Sequence, residues 1–498
     1  MRRWLPGADQ LRPDVWSDVN NMAPTPIGTY HTMPCFSSSS TSGGRSGTGS
    51  ETTTYAWTTQ IANGTAVTYV LSEDGAAVGS YAQTFTAGVF ANKSPGGTNF
   101  PGLPSSYGAF AQMGNTTIYS SKADATYTRD ASGAGNFASV SSSAGSILVV
   151  QSNALLMYDL LDGGSLKPNY WMASDLFNPA NFTSGEAVSA TPVVTTPGAI
   201  TAAVPFAGVS IFFKRAGVYR HRYVGQTDVK WTVELLRPDI GVKSKHAVID
   251  TGNSLVFLGE QGVWEYDGAV FRKLSDDMVT GLYSSSPLTN YLDCTASMYY
   301  PADDMCVWFT STGCLFYNRR SQAFGRGTFY DSTGTAMTGY VPIVGKISAI
   351  ASAGYIPGAN SYSFIEGITV VNVAAAKYQA SDQSWRGVNS AYVQTPETGD
   401  FQSDVTISRV VPKLRRGQGA FTFANGYVAT DGLSVLVTNN SVDTQTVNSS
   451  TERRRFDFLE TVKYPRGGAL KIKSRGSGYN GVWEIEDLIL EAKKTGAT

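Results

Sequence analysis

Residues Ser254–Ser275 read SLVFLGEQGVWEYDGAVFRKLS, and the pattern within them predicts the fold class of the chain. It contains three short apolar runs, LVFL, VWEY and VF, which are separated by the turns EQG and DG. Asp-Gly between apolar runs is typical of a hairpin, because glycine tolerates the positive φ that tight turns need. The stretch therefore predicts three antiparallel strands with turns at Gly262 and Gly268. Trp264 and Tyr266 alternate onto one side of the middle strand, where we expect them to pack against a neighbouring sheet.

The same order of strand, short turn and second strand recurs along the chain, and each copy follows a further strand. The copies are Val67–Val78, Thr117–Tyr127, Ile147–Tyr158, Ser210–Tyr219, Leu255–Tyr266, Cys306–Tyr317 and Tyr362–Val371. A four-stranded unit that recurs every ~40–50 residues is typical of β-propeller blades. We therefore predict an all-β chain with a β-propeller of about seven blades, with six or eight blades left open. Ordinary β-meanders packed into sandwiches are the alternative.

The composition agrees with many short strands. Charged residues make up 15% of the 498 residues, aromatic residues make up 12%, and there are 52 glycines. An average globular domain has roughly 25% charged residues. Such a chain suits strands joined by tight turns better than it suits helices.

The pattern divides the chain into three parts. Residues 1–54 are predicted to be an irregular N-terminal arm, because prolines interrupt it and Ser37–Thr54 is a Ser/Gly-rich linker. Residues 55–386 hold the propeller, and residues 387–498 hold longer alternating strands that predict an antiparallel β-sandwich. We expect a hinge at Tyr392–Pro396. We also expect a β-bulge near Asp487, because the apolar residues of the last strand do not keep one parity.

Cysteine and histidine are too sparse to predict a metal centre. The chain has four cysteines, none of them in a CxxC pair, and three histidines. Cys306 and Cys314 fall on neighbouring strands and are expected to fill a core. No apolar run is long enough to span a membrane, and the first residues lack the apolar core of a signal peptide. The expected protein is soluble, is made in a reducing cytoplasm and needs no cofactor.

The sequence contains no nucleophile elbow, zinc-protease motif or phosphate-binding loop. A catalytic histidine needs an orienting partner, and none is evident beside His31, His221 or His246. His221 lies between Arg220 and Arg222, so we expect it on an exposed face or at an interface. The sequence therefore does not predict an enzyme.

Paired carboxylates and basic runs have two possible interpretations each. Asp276-Asp277 and Asp303-Asp304 follow strands and are interpreted as turn formers, although a glycosidase would also need two carboxylates. The basic runs contain Lys413, Arg415 and Arg416, and then Arg453, Arg454 and Arg455. These side chains would contact phosphates or acidic patches of another subunit, or else they are solvated strand ends, which is the interpretation we favour.

Several segments together resemble the tail nozzle, or packaged-DNA-stabilisation, proteins of short-tailed bacteriophages. They are NMAPTPIGTY (Asn21–Tyr30), SDLFNPANFTSGEA (Ser174–Ala187), the opening stretch Ser254–Ser275, MYYPADDMCVWFTSTGCLFYNRRSQAFGRG (Met298–Gly327) and VWEIEDLILEAKKTG (Val482–Gly496). The resemblance spans most of the chain, but its motifs are loose patterns of turn and aromatic residues. The Ser/Gly-rich segment Ser37–Thr54 departs from the family pattern.

The resemblance implies a propeller with a β-sandwich companion and no catalytic residues. It also implies a homo-hexameric ring in the virion tail, next to the head-to-tail adaptor and the tail fibres or spikes. Such a ring extends the portal channel, retains packaged double-stranded DNA and conducts it on ejection. We expect assembly contacts in the N-terminal arm, in the long connection Trp171–Gly185 and in the basic runs. The candidate contacts are Trp4, Trp16, Trp171, Phe177, Lys413, Arg415, Arg416, Arg453, Arg454 and Arg455.

The rival hypothesis is a carbohydrate-binding or depolymerase propeller that acts on the host surface. Aromatic residues at loop tips, such as Trp171 and Tyr283, would stack on sugars. Asp303 or Asp304 would then supply the acid chemistry.

Overall fold

The fold is described from a computed structural model of the chain. It describes residues 3–4, 15–16, 18–32, 38–39, 52–61, 66–74, 79–86, 89–97, 99–101, 108–122, 124–275, 287–301, 303–310, 313–328, 340–345, 362–366, 369–373, 392–394, 403–415, 433–438, 444–448, 456–464, 469–474 and 484–497.

The chain is all-β, and its helical content within the described residues is two short 3₁₀ helices, Pro95–Gly97 and Pro287–Tyr291. The N-terminal strands are β1 (Arg3–Trp4), β2 (Val15–Trp16), β3 (Asp18–Asn20), β4 (Met22–Pro24), β5 (Tyr30–Thr32) and β6 (Ser38–Ser39). The next strands are β7 (Thr52–Gln60), β8 (Ala66–Asp74), β9 (Gly79–Thr86), β10 (Val89–Asn92) and β11 (Phe100–Pro101).

Four separate four-stranded antiparallel sheets follow in chain order. The first contains β12 (Ala109–Met113), β13 (Thr116–Ser120), β14 (Thr126–Asp130) and β15 (Ala138–Ser141). The second contains β16 (Ala144–Gln151), β17 (Ala154–Asp162), β18 (Ser165–Ala173) and β19 (Val188–Pro192). The third contains β20 (Ile200–Phe206), β21 (Val209–Lys214), β22 (Gly217–Tyr223) and β23 (Trp231–Arg237). The fourth contains β24 (Val248–Asp250), β25 (Leu255–Gly259), β26 (Gly262–Tyr266) and β27 (Phe271–Lys273).

The remaining strands belong to larger sheets. They are β28 (Ala296–Tyr300), β29 (Met305–Phe309), β30 (Cys314–Asn318), β31 (Ala323–Gly327), β32 (Tyr340–Gly345), β33 (Tyr362–Glu366) and β34 (Thr369–Val373). The C-terminal strands are β35 (Tyr392–Gln394), β36 (Ser403–Arg415), β37 (Leu433–Thr438), β38 (Thr444–Asn448), β39 (Phe456–Tyr464), β40 (Ala469–Ser474) and β41 (Glu484–Ala497).

The opening stretch forms three strands of the fourth sheet, as the sequence predicts, and β24 completes that sheet. Gly262 and Gly268 have φ of 116° and 101°, the left-handed region in which glycine is favoured. Tyr266 is buried, and Trp264 is half-buried beneath the Arg237 guanidinium, 5.2 Å from the ring centroid. Because Arg237 lies on β23, the middle strand packs against the preceding sheet.

The predicted copies divide into two groups. The copies in Thr117–Tyr127, Ile147–Tyr158, Ser210–Tyr219 and Leu255–Tyr266 each form the middle of a separate sheet. The other three lie in larger sheets. The first and seventh copies share one nine-stranded sheet of order β10-β9-β8-β7-β32-β33-β34-β6, with β11 on β9, and the sixth, Cys306–Tyr317, forms β29 and β30 of a second nine-stranded sheet. In the first of these two sheets β7 and β32 pair in parallel.

The core lies between successive sheets. On β17, Leu156 and Tyr158 pack towards the third sheet, whereas Leu155 and Met157 pack towards the first. Both faces of the strand are therefore covered, which explains why β17 begins with the continuous apolar run Ala154–Tyr158 and not with an alternating pattern. The first strands of successive sheets also contact one another. Consecutive four-stranded sheets stacked face to face are the arrangement of propeller blades.

The N-terminal arm is not irregular throughout, and the expectation that its prolines exclude regular structure is wrong for Asp18–Thr32. The hairpin β4–β5 is inserted between β31 and β41, so a nine-stranded sheet runs β28-β29-β30-β31-β4-β5-β41-β36-β39. The Tyr30 hydroxyl donates to the Phe324 carbonyl oxygen at 2.7 Å. Arg326 Nε donates to the Val19 carbonyl oxygen at 2.9 Å. The arm therefore links β31 with the C-terminal strand β41.

The C-terminal strands belong to two antiparallel sheets. β36, β39 and β41 lie in the sheet just described, and the others form a sheet of order β3-β35-β40-β37-β38. Tyr392–Gln394 is a paired strand in this five-stranded sheet, and the rest of the expected hinge, Thr395–Pro396, lies outside the described residues. The expected bulge is confirmed, because Lys413 pairs with Asp487 while Leu414 pairs with Ile485, which leaves Glu486 as the extra residue.

Candidate assembly surface

The predicted contact residues that the structure describes lie in different sheets or on the connection after β18. Trp4 and Trp16 are partners in the parallel pair β1–β2. On β36, the register places Lys413 opposite Asp487 and Arg415 opposite Glu484. Four of the predicted residues lie outside the described residues, namely Arg416, Arg453, Arg454 and Arg455.

Trp171 cannot serve as an exposed contact or as a sugar-stacking residue in this conformation. It lies on β18 with 4% of its surface exposed, and its ring is 4.1 Å from that of His221. The long connection that the sequence predicts begins only after β18, so Trp171 faces the next sheet instead of the solvent. Tyr283, the second residue proposed for sugar stacking, lies outside the described residues.

Phe177, by contrast, is 75% exposed on the connection between β18 and β19. Its φ is 59°, which is uncommon for a bulky residue, and its N–H donates to the Asn153 carbonyl oxygen at 2.6 Å. The Asp175 carboxylate supports the loop by accepting the N–H groups of Glu186 at 2.8 Å and Leu176 at 2.9 Å. These hydrogen bonds hold the pKa of Asp175 below its usual value. The loop therefore fixes an apolar side chain in the solvent.

The sequence did not reveal several further exposed apolar residues, of which Leu166 and Val194 are the most exposed. Leu166 is 66% exposed and Val194 is 78% exposed. Pro192 pairs with Tyr170 at the edge of the second sheet, and Val193 N–H donates to the Asn169 carbonyl oxygen at 2.8 Å. Val194 therefore comes just after the end of β19 and lies beside β18, the strand that contains Leu166. The sequence signal for this exposed edge was a proline on each strand, Pro168 on β18 and Pro192 on β19, because proline is confined to the edges and ends of sheets.

His221 is fully buried, so the expectation of an exposed face is wrong. It alternates on β22 with Arg220 and Arg222, whose side chains lie on the opposite face. Its Nδ1 lies 2.9 Å from the Tyr158 hydroxyl. Burial lowers the pKa of His221 to about 3, so its ring is neutral at pH 7.

The Asp303-Asp304 pair does form a turn, and Asp304 belongs to an ionic cluster between two sheets. Arg319 donates to Glu265 Oε1 at 3.0 Å, to Asp304 Oδ1 at 3.1 Å and to Ser254 Oγ at 3.1 Å. Tyr299 Oη also donates to Asp304, at 2.8 Å. We call these residues the Arg319 cluster. The hydrogen bonds of these side chains run between members of the cluster, so the cluster links the two sheets structurally. Asp276 and Asp277 lie outside the described residues.

Within the described ranges, no group of three or more His, Cys, Asp or Glu side chains is placed to hold a metal ion. Cys306 and Cys314 are buried on neighbouring strands as expected, and burial raises the pKa of both thiols. Among the same residues, no helix has the length and hydropathy needed to cross a bilayer.

Comparison with known proteins does not place the chain in a family. No family model matches. A UPF0312 protein of Yersinia pestis is 30% identical over 86 residues, which are 16% of this chain and 45% of that protein. The chain thus matches less than half the length of that relative. Among solved structures, BamB from Moraxella catarrhalis is 12% identical with a TM-score of 0.38, covering 71% of this chain and 95% of BamB. AztD from Citrobacter koseri is 11% identical with a TM-score of 0.35, covering 62% of this chain and 79% of AztD.

Proposed function

We propose that this protein is a structural virion protein, a nozzle or tube subunit in the tail of a short-tailed bacteriophage. One subunit would contribute to a hexameric ring that extends the portal–adaptor channel, retains packaged DNA and conducts it on ejection. The sequence resemblance suggests this role. The observation that carries it is the exposed side chain of Phe177 on the connection between β18 and β19, which we call the Phe177 loop. This loop lies in the resembling segment Ser174–Ala187.

The Phe177 loop combines two features that are unfavourable in an isolated subunit. A large apolar side chain is exposed, and its backbone has a left-handed conformation that costs about 1–3 kcal/mol. The Asp175 hydrogen bonds hold that conformation in place. An exposed apolar side chain on a preorganised loop is well suited to contact a neighbouring subunit, because little entropy is lost when it binds.

The proposal includes a ring of seven blades within each subunit. The first strands contact one another in the order β7, β12, β16, β20, β24, β28 and β32, and β32 contacts β7 again. In the seventh blade, β6 from the N-terminal arm pairs with β34 and supplies the fourth strand. Each blade face is then covered by a neighbour, which an isolated four-stranded sheet lacks. The β-sandwich of residues 387–498 remains part of this proposal.

Negative-stain microscopy and light scattering of the purified protein test the assembly. We expect particles with a six-fold axis. Phe177→Ser should dissociate these particles. The melting temperature of the subunit should stay within about 2 °C of the wild type, because the Phe177 side chain is exposed. Val270→Ser is the matched control, since Val270 is also apolar and is 63% exposed, on a different loop. A wild-type monomer without axial assembly contradicts the nozzle, and equal effects of the two substitutions contradict the role of Phe177.

Three of the four residues assigned to the depolymerase hypothesis are not free in the solvent, and the fourth, Tyr283, lies outside the described residues. Trp171 is buried, Asp304 is engaged by Arg319, and Asp303 is 5% exposed. Release of oligosaccharides from host surface polysaccharide, abolished by Asp303→Asn or Asp304→Asn, would nevertheless favour that hypothesis over the nozzle.

A further inference from the structure

The interface between the second sheet (β16–β19) and the third (β20–β23) contains the buried ring of His221. We call this interface the histidine seam. Trp171 and Trp231 meet the ring edge-on, at centroid distances of 4.1 Å and 5.1 Å. His221 Nε2 and Trp231 Nε1 are buried and have no hydrogen-bond partner among the described residues. The seam therefore contains two polar atoms whose desolvation is not compensated.

No charged group of the described chain compensates a cation at this position. From β17 the ring faces the Tyr158 hydroxyl, which also contacts Ser210 Oγ of β21 at 2.9 Å. From β18, β21 and β23 it faces Trp171, Phe212 and Trp231. Burial raises the pKa of Tyr158, so its hydroxyl remains protonated and supplies no negative charge. A proton on His221 would place an unpaired charge among aromatic rings.

We propose that acidification opens this protein first at the histidine seam, and that protonation of His221 drives the opening. A closed seam holds the imidazole neutral, whereas an opened seam lets water solvate the imidazolium. His221 has a pKa of about 3 in the folded state and an ordinary value of 6.5. Between these two values the opened state binds one more proton than the closed state, so opening becomes more favourable as the pH falls.

Hydrogen exchange measured by mass spectrometry at pH 7 and pH 4.5 tests the proposal on the full chain. After correction for the intrinsic exchange rate, we expect the opening constant of peptides from β17 and β22 to rise about 100-fold between these pH values, since pH 4.5 lies two units below 6.5. Peptides from β25 and β26 should remain protected. In His221→Phe, which keeps an aromatic ring but cannot be protonated, the acid-dependent rise should disappear.

His246→Asn is the control, because His246 is only half-buried, precedes β24 and lies outside the seam. It should leave the opening of β17 and β22 unchanged. If His221→Phe does not fold, His221→Gln offers a neutral amide and is expected to behave in the same way. The proposal is overturned if the substituted protein retains the 100-fold rise, or if β25 and β26 open together with the seam in the wild type.

Discussion

Gly262 lies where a side chain would meet two separate obstacles. Its φ is 116°, and a Cβ atom would overlap Ser275 Oγ, which accepts the Val263 N–H at 2.8 Å. Gly252 has a φ of 90°, and a Cβ atom at that position would have nothing within 4 Å, so it meets the first obstacle alone. The pair separates backbone strain from steric overlap.

We expect Gly262→Ala to lower the free energy of unfolding by about 3 kcal/mol and Gly252→Ala by about 1 kcal/mol. Urea titrations followed by circular dichroism measure both values. If the two losses are equal, the overlap with Ser275 contributes nothing and the turn tolerates a side chain at Gly262.

At the level of single residues, the sequence predicts turns better than it predicts burial of polar groups. Gly262 and Gly268 are identified by local chemistry, because the turn itself requires glycine. The arginines on either side of His221 suggest a surface position for it, and that suggestion is wrong. The alternation Tyr219, Arg220, His221, Arg222 carries the correct signal, since Tyr219 and His221 share the buried face.

At the level of elements, the Arg319 cluster links the fourth sheet to the sheet that contains β30 and β31. Arg319 lies directly after β30, and Glu265 lies on β26 with 8% of its surface exposed. Burial opposes ionisation of Glu265, but hydrogen bonds from Arg272, Ser254 and Arg319 outweigh it and lower its pKa. The ionised carboxylate is therefore the form that stabilises the fold, and this stabilisation is lost as the pH falls through the folded-state pKa.

Arg319→Met is expected to lower the free energy of unfolding by about 2–3 kcal/mol, because the remaining carboxylates keep only part of their hydrogen bonds. A double-mutant cycle with Glu265→Gln should give a coupling energy of about 1 kcal/mol or more. Arg215→Met removes an exposed ion pair with Glu260 between the third and fourth sheets, and it should not change the unfolding midpoint measurably. Equal effects of the two arginine substitutions would contradict a specific link through Arg319.

At the level of the whole molecule, the sequence predicts the repeated sheets because their contacts are local. Each hairpin such as β25–β26 joins strands a few residues apart, and its pattern is visible within one stretch. The hairpin β4–β5 was missed for the opposite reason. Its strands have three residues each, and Tyr30 bonds to a carbonyl 294 residues away in sequence. Periodicity cannot reveal a pairing that depends on distant segments. The sequence already placed Phe177 among the candidate contacts. Its left-handed backbone conformation could not be predicted from the residue type.

The inserted hairpin connects β31 to the C-terminal strand β41, because β4 pairs with β31 and β5 pairs with both β4 and β41. Gly325 on β31 is where this connection is tightest. A Cβ there would lie 2.5 Å from the Met22 carbonyl oxygen and 2.8 Å from Pro24 Cδ, distances that force one of the strands to move. Gly135→Ala is the matched control, because a Cβ at Gly135 meets nothing within 4 Å.

Gly325→Ala should therefore separate β4 from β31 and uncouple β4, β5 and β41 from strands β28–β31. We expect amide hydrogens of β4, β5 and β41 to exchange at least about 10-fold faster, which corresponds to about 1.4 kcal/mol, while β17 and β22 keep their protection at neutral pH. Hydrogen exchange with mass spectrometry measures all five strands in one experiment. If Gly325→Ala exchanges like Gly135→Ala, the arm does not couple the C-terminal strands to the sheets. If protection is lost in all five strands together, the hairpin is part of one cooperative core instead of a joint between two.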